Sequence, residues 1–84
     1  MTIYEIKRRL EDTAPQYFSR ASMKFFGQTM KDFRVYKQKD GKFLMVAPIR
    51  ERTRFSGSEI WATTGQTRRV FNPETNKLER EILA

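Results

Sequence analysis

The chain has 84 residues, seventeen Lys or Arg against ten Asp or Glu, a formal net charge of +7, and neither Cys nor His. That length holds one small domain, residues 1–84, with a thin stability margin. The missing Cys excludes disulfides and thiolate metal sites, and the missing His removes the commonest general base near neutral pH and the commonest metal ligand.

The first expected element is a helix over Thr2–Asp12. Thr2 and Glu5 have capping-box spacing, and Ile3, Ile6 and Leu10 recur at three and four residues, which makes one apolar stripe. Pro15 stops this helix or closely follows its end. A second, shorter helix starts at Ser19 as N-cap and ends at Gly27 in the left-handed conformation. Tyr17, Phe18, Phe25 and Phe26 cannot all be exposed, so this segment is expected to sit on a sheet.

From Phe33 the pattern changes to alternation. Phe33–Gln38 and Lys42–Ala47 predict a hairpin around Asp40-Gly41. A three-residue loop, Lys39-Asp40-Gly41, groups Phe33, Val35, Phe43, Met45 and Ala47 on one almost wholly apolar face, and is preferred to a two-residue loop for that reason. Pro48 ends or weakens pairing, and Arg50–Ser58 reads as an exposed loop. A third strand through Ile60, Trp61 and Ala62 precedes a turn at Gly65-Gln66. A last hairpin runs from Thr67–Phe71 through Asn72–Asn76 to Lys77–Leu83, with Pro73 presetting a turn dihedral and Asn76 taking the left-handed position. The fold class is α+β: one or two short N-terminal helices on an antiparallel meander of four to five strands.

No stretch reaches the ~20 apolar residues that span a bilayer. Lys7, Arg8 and Arg9 break any signal-like run at the start. A cytoplasmic setting is expected, without membrane contact.

The charge is concentrated in the middle of the chain. Between Pro15 and Arg54 stand ten cations (Arg20, Lys24, Lys31, Arg34, Lys37, Lys39, Lys42, Arg50, Arg52, Arg54) and three acids (Asp32, Asp40, Glu51), a surplus equal to the charge of the whole protein. A basic region of this kind draws polyanions, and nucleic acid is the first partner to consider.

Three groups of residues are candidates. In Arg50–Ser58 the alternating Arg50, Arg52 and Arg54 share one side of an extended segment, and their planar forks suit phosphate. Phe55 can stack on a base, and Gly57 between two serines lets the segment adapt. The plainer alternative is a solvated loop with Phe55 folded back on the core. On the outer face of the first hairpin, Arg34, Tyr36 and Lys42, with Lys37 and Lys39 near the turn, combine cations with an aromatic, as sheets that bind single strands do. The alternative there is Tyr36 packed under the helices and lysines that only guard the strand. Arg20 and Lys24, four apart on the short helix, form a third basic face or simply its solvated side. Of the pair Arg68-Arg69, strand alternation lets one side chain join a patch. Trp61 is expected in the core.

The acids are scattered. Glu79 and Glu81 share a strand face, but Lys77 and Arg80 beside them make surface pairing the simple account. No enzyme activity and no cofactor are expected.

Two segments carry a resemblance. Phe18-Ser19-Arg20-Ala21-Ser22-Met23-Lys24-Phe25-Phe26-Gly27-Gln28-Thr29-Met30 and Arg69-Val70-Phe71-Asn72-Pro73-Glu74-Thr75-Asn76-Lys77-Leu78 are similar to short uncharacterised proteins of phages and related mobile elements. The resemblance implies a mobile-element origin and an accessory role, and it carries over no catalytic residues. The leading expectation is a small nucleic-acid-binding accessory protein with largely sequence-tolerant phosphate contacts. The second is a protein-binding inhibitor that places its basic face on an acidic surface of a host complex. A third is an assembly component that self-associates through Lys77–Leu83.

Overall fold

The computed structural model describes residues 1–55 and 57–82, without the side chains of Phe55 and Ile82. Helix α1 spans Ile3–Thr13, capped where Thr2 Oγ1 accepts the Glu5 N–H at 3.3 Å. It ends at Ala14, and Pro15–Phe18 form a 3-10 turn. Helix α2 spans Arg20–Phe26, capped by the Ser19 hydroxyl on the Ser22 N–H and closed by Gly27 at φ 63°. A second 3-10 turn, Met30–Asp32, leads into the strands.

These are β1 (Arg34–Lys37), β2 (Phe43–Phe55), β3 (Ser58–Asn72) and β4 (Lys77–Ile82), an antiparallel meander in the order β1-β2-β3-β4. The fold is the expected α+β arrangement, with four strands.

The first hairpin has the three-residue loop. Lys37 is opposite Phe43, and Gln38 N–H donates to Lys42 O at 2.8 Å. Phe33, Met45 and Ala47 therefore face inward with Phe71, and the α1 stripe of Ile3, Ile6 and Leu10 covers them. Phe18 adds a tilted ring contact with Phe33, 5.6 Å between centroids. Burying these side chains at ~25 cal/mol per Å2 of apolar surface is the main stabilising term. The C-terminal end of α1 is clasped to the last turn, where Thr13 Oγ1 donates to Asn76 O at 2.7 Å and Arg9 Nη1 to Pro73 O at 3.3 Å. Asn76 has the left-handed φ, 56°.

The middle of the chain departs from expectation. Arg50–Phe55 is not a loop but the distal half of β2, paired through Phe55 opposite Ser58. Thr53 faces Ile60 and Arg52 faces Trp61 across the strands, pairs that favour a sheet. Both faces of this ribbon are exposed, so its strands need no apolar alternation. Pro48 lies within β2 opposite Gln66. β1 pairing has already ended at Val46, so the missing N–H falls where β2 has a neighbour on one side only. Gly65-Gln66 is likewise internal to β3. The irregularity there is a bulge: Ile49 pairs with Gly65 and Arg50 with Thr63, leaving Thr64 without an opposite number. Trp61 sits on the ribbon, beside α2 but not covered by it, and is 54% exposed and not core.

The ribbon gives the molecule its elongated shape, 49 × 25 × 19 Å. Its base is docked on the loop after α2. A Cβ on Gly27 would lie 2.6 Å from the Arg50 carbonyl oxygen, in a backbone conformation that already disfavours a side chain. Gly27→Ala is therefore expected to destabilise by about 1–3 kcal/mol, read as a lower urea midpoint with unchanged slope. A midpoint equal to that of the wild type would show that the docking is looser than described.

Candidate nucleic-acid interface

The pleat sends Arg68 and Arg69 to opposite faces of β3, and the two have different surroundings. Arg69 points into the helical side and is 5% exposed. Its guanidinium lies 5.4 Å from the ring centroids of both Tyr17 and Phe26, and its Nε is 3.7 Å from Glu81. This cation holds the aromatic segment to the sheet. Arg68 points the other way.

That other face carries no helix among the described residues. The register builds two rows across it. Arg34, Val46, Arg68 and Ile82 are consecutive partners in one, and Tyr36, Leu44, Val70 and Arg80 in the next. Tyr36 is 52% exposed and Val70 only 2%; Arg34 and Arg80 are exposed and Leu44, Val46 and Arg68 half-buried. The result is an apolar strip with an aromatic ring at one edge and three guanidinium groups around it. With strands ~4.8 Å apart, the face is about 15 Å wide.

Of the sequence candidates, Arg34 and Tyr36 thus meet on one surface. They are not beneath the helices, because the three-residue loop turns them away from α1. Lys42 sits at the end of the same hairpin, but its ammonium is paired with Glu79. That contact raises the Lys42 pKa and, together with Asn72 donating to Glu79 Oε1 at 2.6 Å, lowers that of Glu79. Glu79 occupies a bulge, since Leu78 pairs with Phe71 and Arg80 with Val70. The bulge interrupts the alternation that would have put Glu79 and Glu81 on one face. Lys37 and Lys39 are exposed around the turn, and Arg20 and Lys24 are exposed on α2.

Arg50, Arg52 and Arg54 have different surroundings. Arg50 is already engaged. Its Nη1 and Nη2 donate to the two oxygens of Asp32 at 2.6 and 3.0 Å, and Nη1 also reaches Gly27 O at 3.3 Å. Arg52 stacks over Trp61, 5.3 Å from the ring centroid, and lies 3.5 Å from Glu59. Arg54 is exposed opposite Glu59. The Phe55 side chain lies outside the described residues.

Asp32 also accepts the Thr29 N–H at 2.8 Å and the Thr29 hydroxyl at 3.0 Å. The Arg50 hydrogen bond, reinforced by Thr29 and opposed by partial desolvation, brings its pKa down from 3.8 to about 2. The pair separates two depressions. Asp32 lines one on the uncovered face with Arg34 and Tyr36, and Arg50 lines the other, between α2 and the ribbon, with Trp61.

Arg68, Arg80 and the cleft beside Trp61 were not apparent as parts of a site from the sequence. Arg68 was visible only as one of a pair, and nothing in the sequence marks the bulge that places Arg80 opposite Val70.

No family model matches this chain, and no curated protein or solved structure matches it at a significant level.

A carboxyl whose pKa is depressed by folding stabilises the native state above its unfolded value, and that contribution disappears as pH falls through the folded value. The stability gap between wild type and Asp32→Asn is therefore expected to be constant from pH 7 to about 5 and to close between about pH 4 and pH 2. Urea midpoints of both proteins across that range measure it. A gap that persists unchanged at pH 2 would show that the carboxylate charge is not what holds the pair.

Proposed function

We propose that this chain is a small nucleic-acid-binding accessory protein that takes a single-stranded segment across the uncovered face of its sheet. The observation that carries the reading is the in-register grouping of Tyr36 with Arg34, Arg68 and Arg80 around the half-buried Leu44 and Val46, with Val70 buried beneath. Tyr36 offers a ring on which a base stacks, and the arginines neutralise phosphates on either side. Stacking on an aromatic contributes ~1–3 kcal/mol per base and tolerates any sequence. A broad, shallow sheet face suits an unpaired strand better than a duplex, whose major groove admits a helix or a narrow ribbon. The formal charge of +7 supports this reading through long-range attraction of a polyanion. The similarity of two segments to mobile-element proteins supports an accessory role in such an element, with the cytoplasm as its setting.

A second reading is a protein-binding module that docks on an acidic surface of a host complex. It is favoured by the exposed apolar groups away from the sheet face, Trp61, Ile60 and Phe25, the last 80% exposed. It predicts no affinity for oligonucleotides even at low salt.

For the first reading, fluorescence anisotropy with labelled single-stranded and duplex oligonucleotides over a range of salt is the test. Single strands are expected to bind more tightly than duplex. Replacing Arg34 and Arg80 together by Glu removes two phosphate contacts. It should weaken binding by about tenfold or more and reduce the salt slope by about 1.4, at ~0.7 per contact. Both side chains are exposed, so thermal stability should be unchanged. An unaltered affinity and slope in this variant would remove the sheet face as the binding surface.

A further inference from the structure

The cleft between α2 and the base of the ribbon has a volume of about 480 Å3, within the ~300–1,000 Å3 range typical of small-molecule sites. Met23 and the Trp61 ring supply apolar wall, and the exposed Lys24 and Thr29 supply polar groups at its margin, while the buried Gln28 beneath them is held by its bond to Thr67 Oγ1 at 3.0 Å. We propose that this cleft is a second subsite for the same nucleic-acid strand, holding one unpaired nucleotide with its base against Trp61 and its phosphate toward Lys24. The inference rests on the nucleic-acid reading and adds to it a place where the strand leaves the sheet.

Four observations point the same way. The first is the exposure of Trp61. In a small domain a large apolar ring gains most by burial, yet this one stays open to solvent beside an apolar hollow. The second is its setting. Arg52 lies over the indole, and Glu59 sits by Arg52 in turn, so the ring has a cation contact on the exposed ribbon. The third is the built wall. Gly27 approaches the Arg50 backbone more closely than any other residue type would allow, and Asp32 clamps the Arg50 guanidinium from behind. A preformed site avoids the ordering penalty of a flexible one.

The fourth is continuity and charge. The depression on the uncovered face that contains Arg34 and Tyr36 reaches Asp32, and the cleft begins at Arg50. A strand leaving Tyr36 thus crosses a single ion pair to reach Trp61. Among the residues that line the two depressions Asp32 is the one carboxylate and is neutralised by Arg50, Lys24 is exposed at the cleft, and Arg52 with Glu59 forms a further pair beside Trp61. An anionic chain with unpaired bases complements this track in charge and in the alternation of flat and polar groups. An uncharged apolar peptide would leave Lys24 and Thr29 without partners.

Trp61 is the only tryptophan, so its emission reports the cleft alone. The experiment titrates oligothymidylate of about 20 residues, long enough for a single-strand site of ~4–16 nucleotides, and follows Trp61 emission and oligonucleotide anisotropy in parallel. Quenching with the same midpoint as the anisotropy is expected. Trp61→Ala should weaken binding at least about fivefold, the lower bound for loss of one stacked base, while Trp61→Phe restores most of it. Lys24→Glu should weaken binding and leave the fold, read by circular dichroism, unchanged. Anisotropy that rises while Trp61 emission stays constant overturns the cleft subsite and leaves the sheet-face reading standing. No response in either signal at low salt overturns both. Thymidine monophosphate that quenches Trp61 as tightly as the oligonucleotide overturns the strand as occupant and makes the cleft a site for free nucleotides.

Discussion

The bidentate pair between Arg50 and Asp32 is the interaction on which the arrangement of surfaces depends. It joins the turn after α2 to the strand just where β2 leaves the shelter of β1, and it does so beside a glycine that lets two backbones touch. Around one carboxylate it gathers the Arg50 fork, the Thr29 amide and the Thr29 hydroxyl. Such a group is satisfied on most of its lone pairs, which is the condition for a partly buried ion pair to stabilise rather than strain a fold. The same contact fixes the base of the ribbon to the segment after α2, and the cleft lined by Met23, Lys24 and Trp61 lies beside it.

The sheet divides the labour between its faces. One face is closed by α1 and the aromatic segment, with Arg69 as a cation between Tyr17 and Phe26. The other stays open and collects Arg34, Arg68 and Arg80. Two adjacent arginines in β3 therefore have unrelated tasks, one structural and one facing solvent, and only the pleat separates them. A charge count assigns both to a basic surface. The three-dimensional arrangement assigns one.

Much of the scaffold was legible because its signals are local. Thr2, Ser19 and Gly27 mark helix ends through side-chain caps and a left-handed residue. The Lys39-Asp40-Gly41 and Asn72–Asn76 turns carry the dihedral preferences that set their registers. The face bearing Arg34 and Tyr36 followed from the first of these. The ribbon was not legible for a physical reason. A strand exposed on both sides has no apolar period, so Arg50–Ser58 looks like any charged loop, and Gly65-Gln66 beside a bulge looks like a turn. Pro48 misled because its tolerance depends on β1 having ended two residues earlier. Trp61 misled because hydrophobicity alone says that tryptophan belongs inside, and only its place on a ribbon that α2 flanks without covering leaves it in solvent.

The clasp between α1 and the last turn has a consequence for the order in which the molecule can be made. Every strand pairs with its neighbour in sequence, so the meander can zip from local hairpins with little loop-closure entropy. Thr13 and Asn76 are 63 residues apart, however, and Phe71 is a fully buried member of the core that α1 covers. As the chain emerges from the ribosome, Ile3, Ile6 and Leu10 come first and must wait for β3 and the turn after it. Until the residues through Asn76 have been synthesised, the apolar stripe of α1 lacks the surface that it covers in the folded protein.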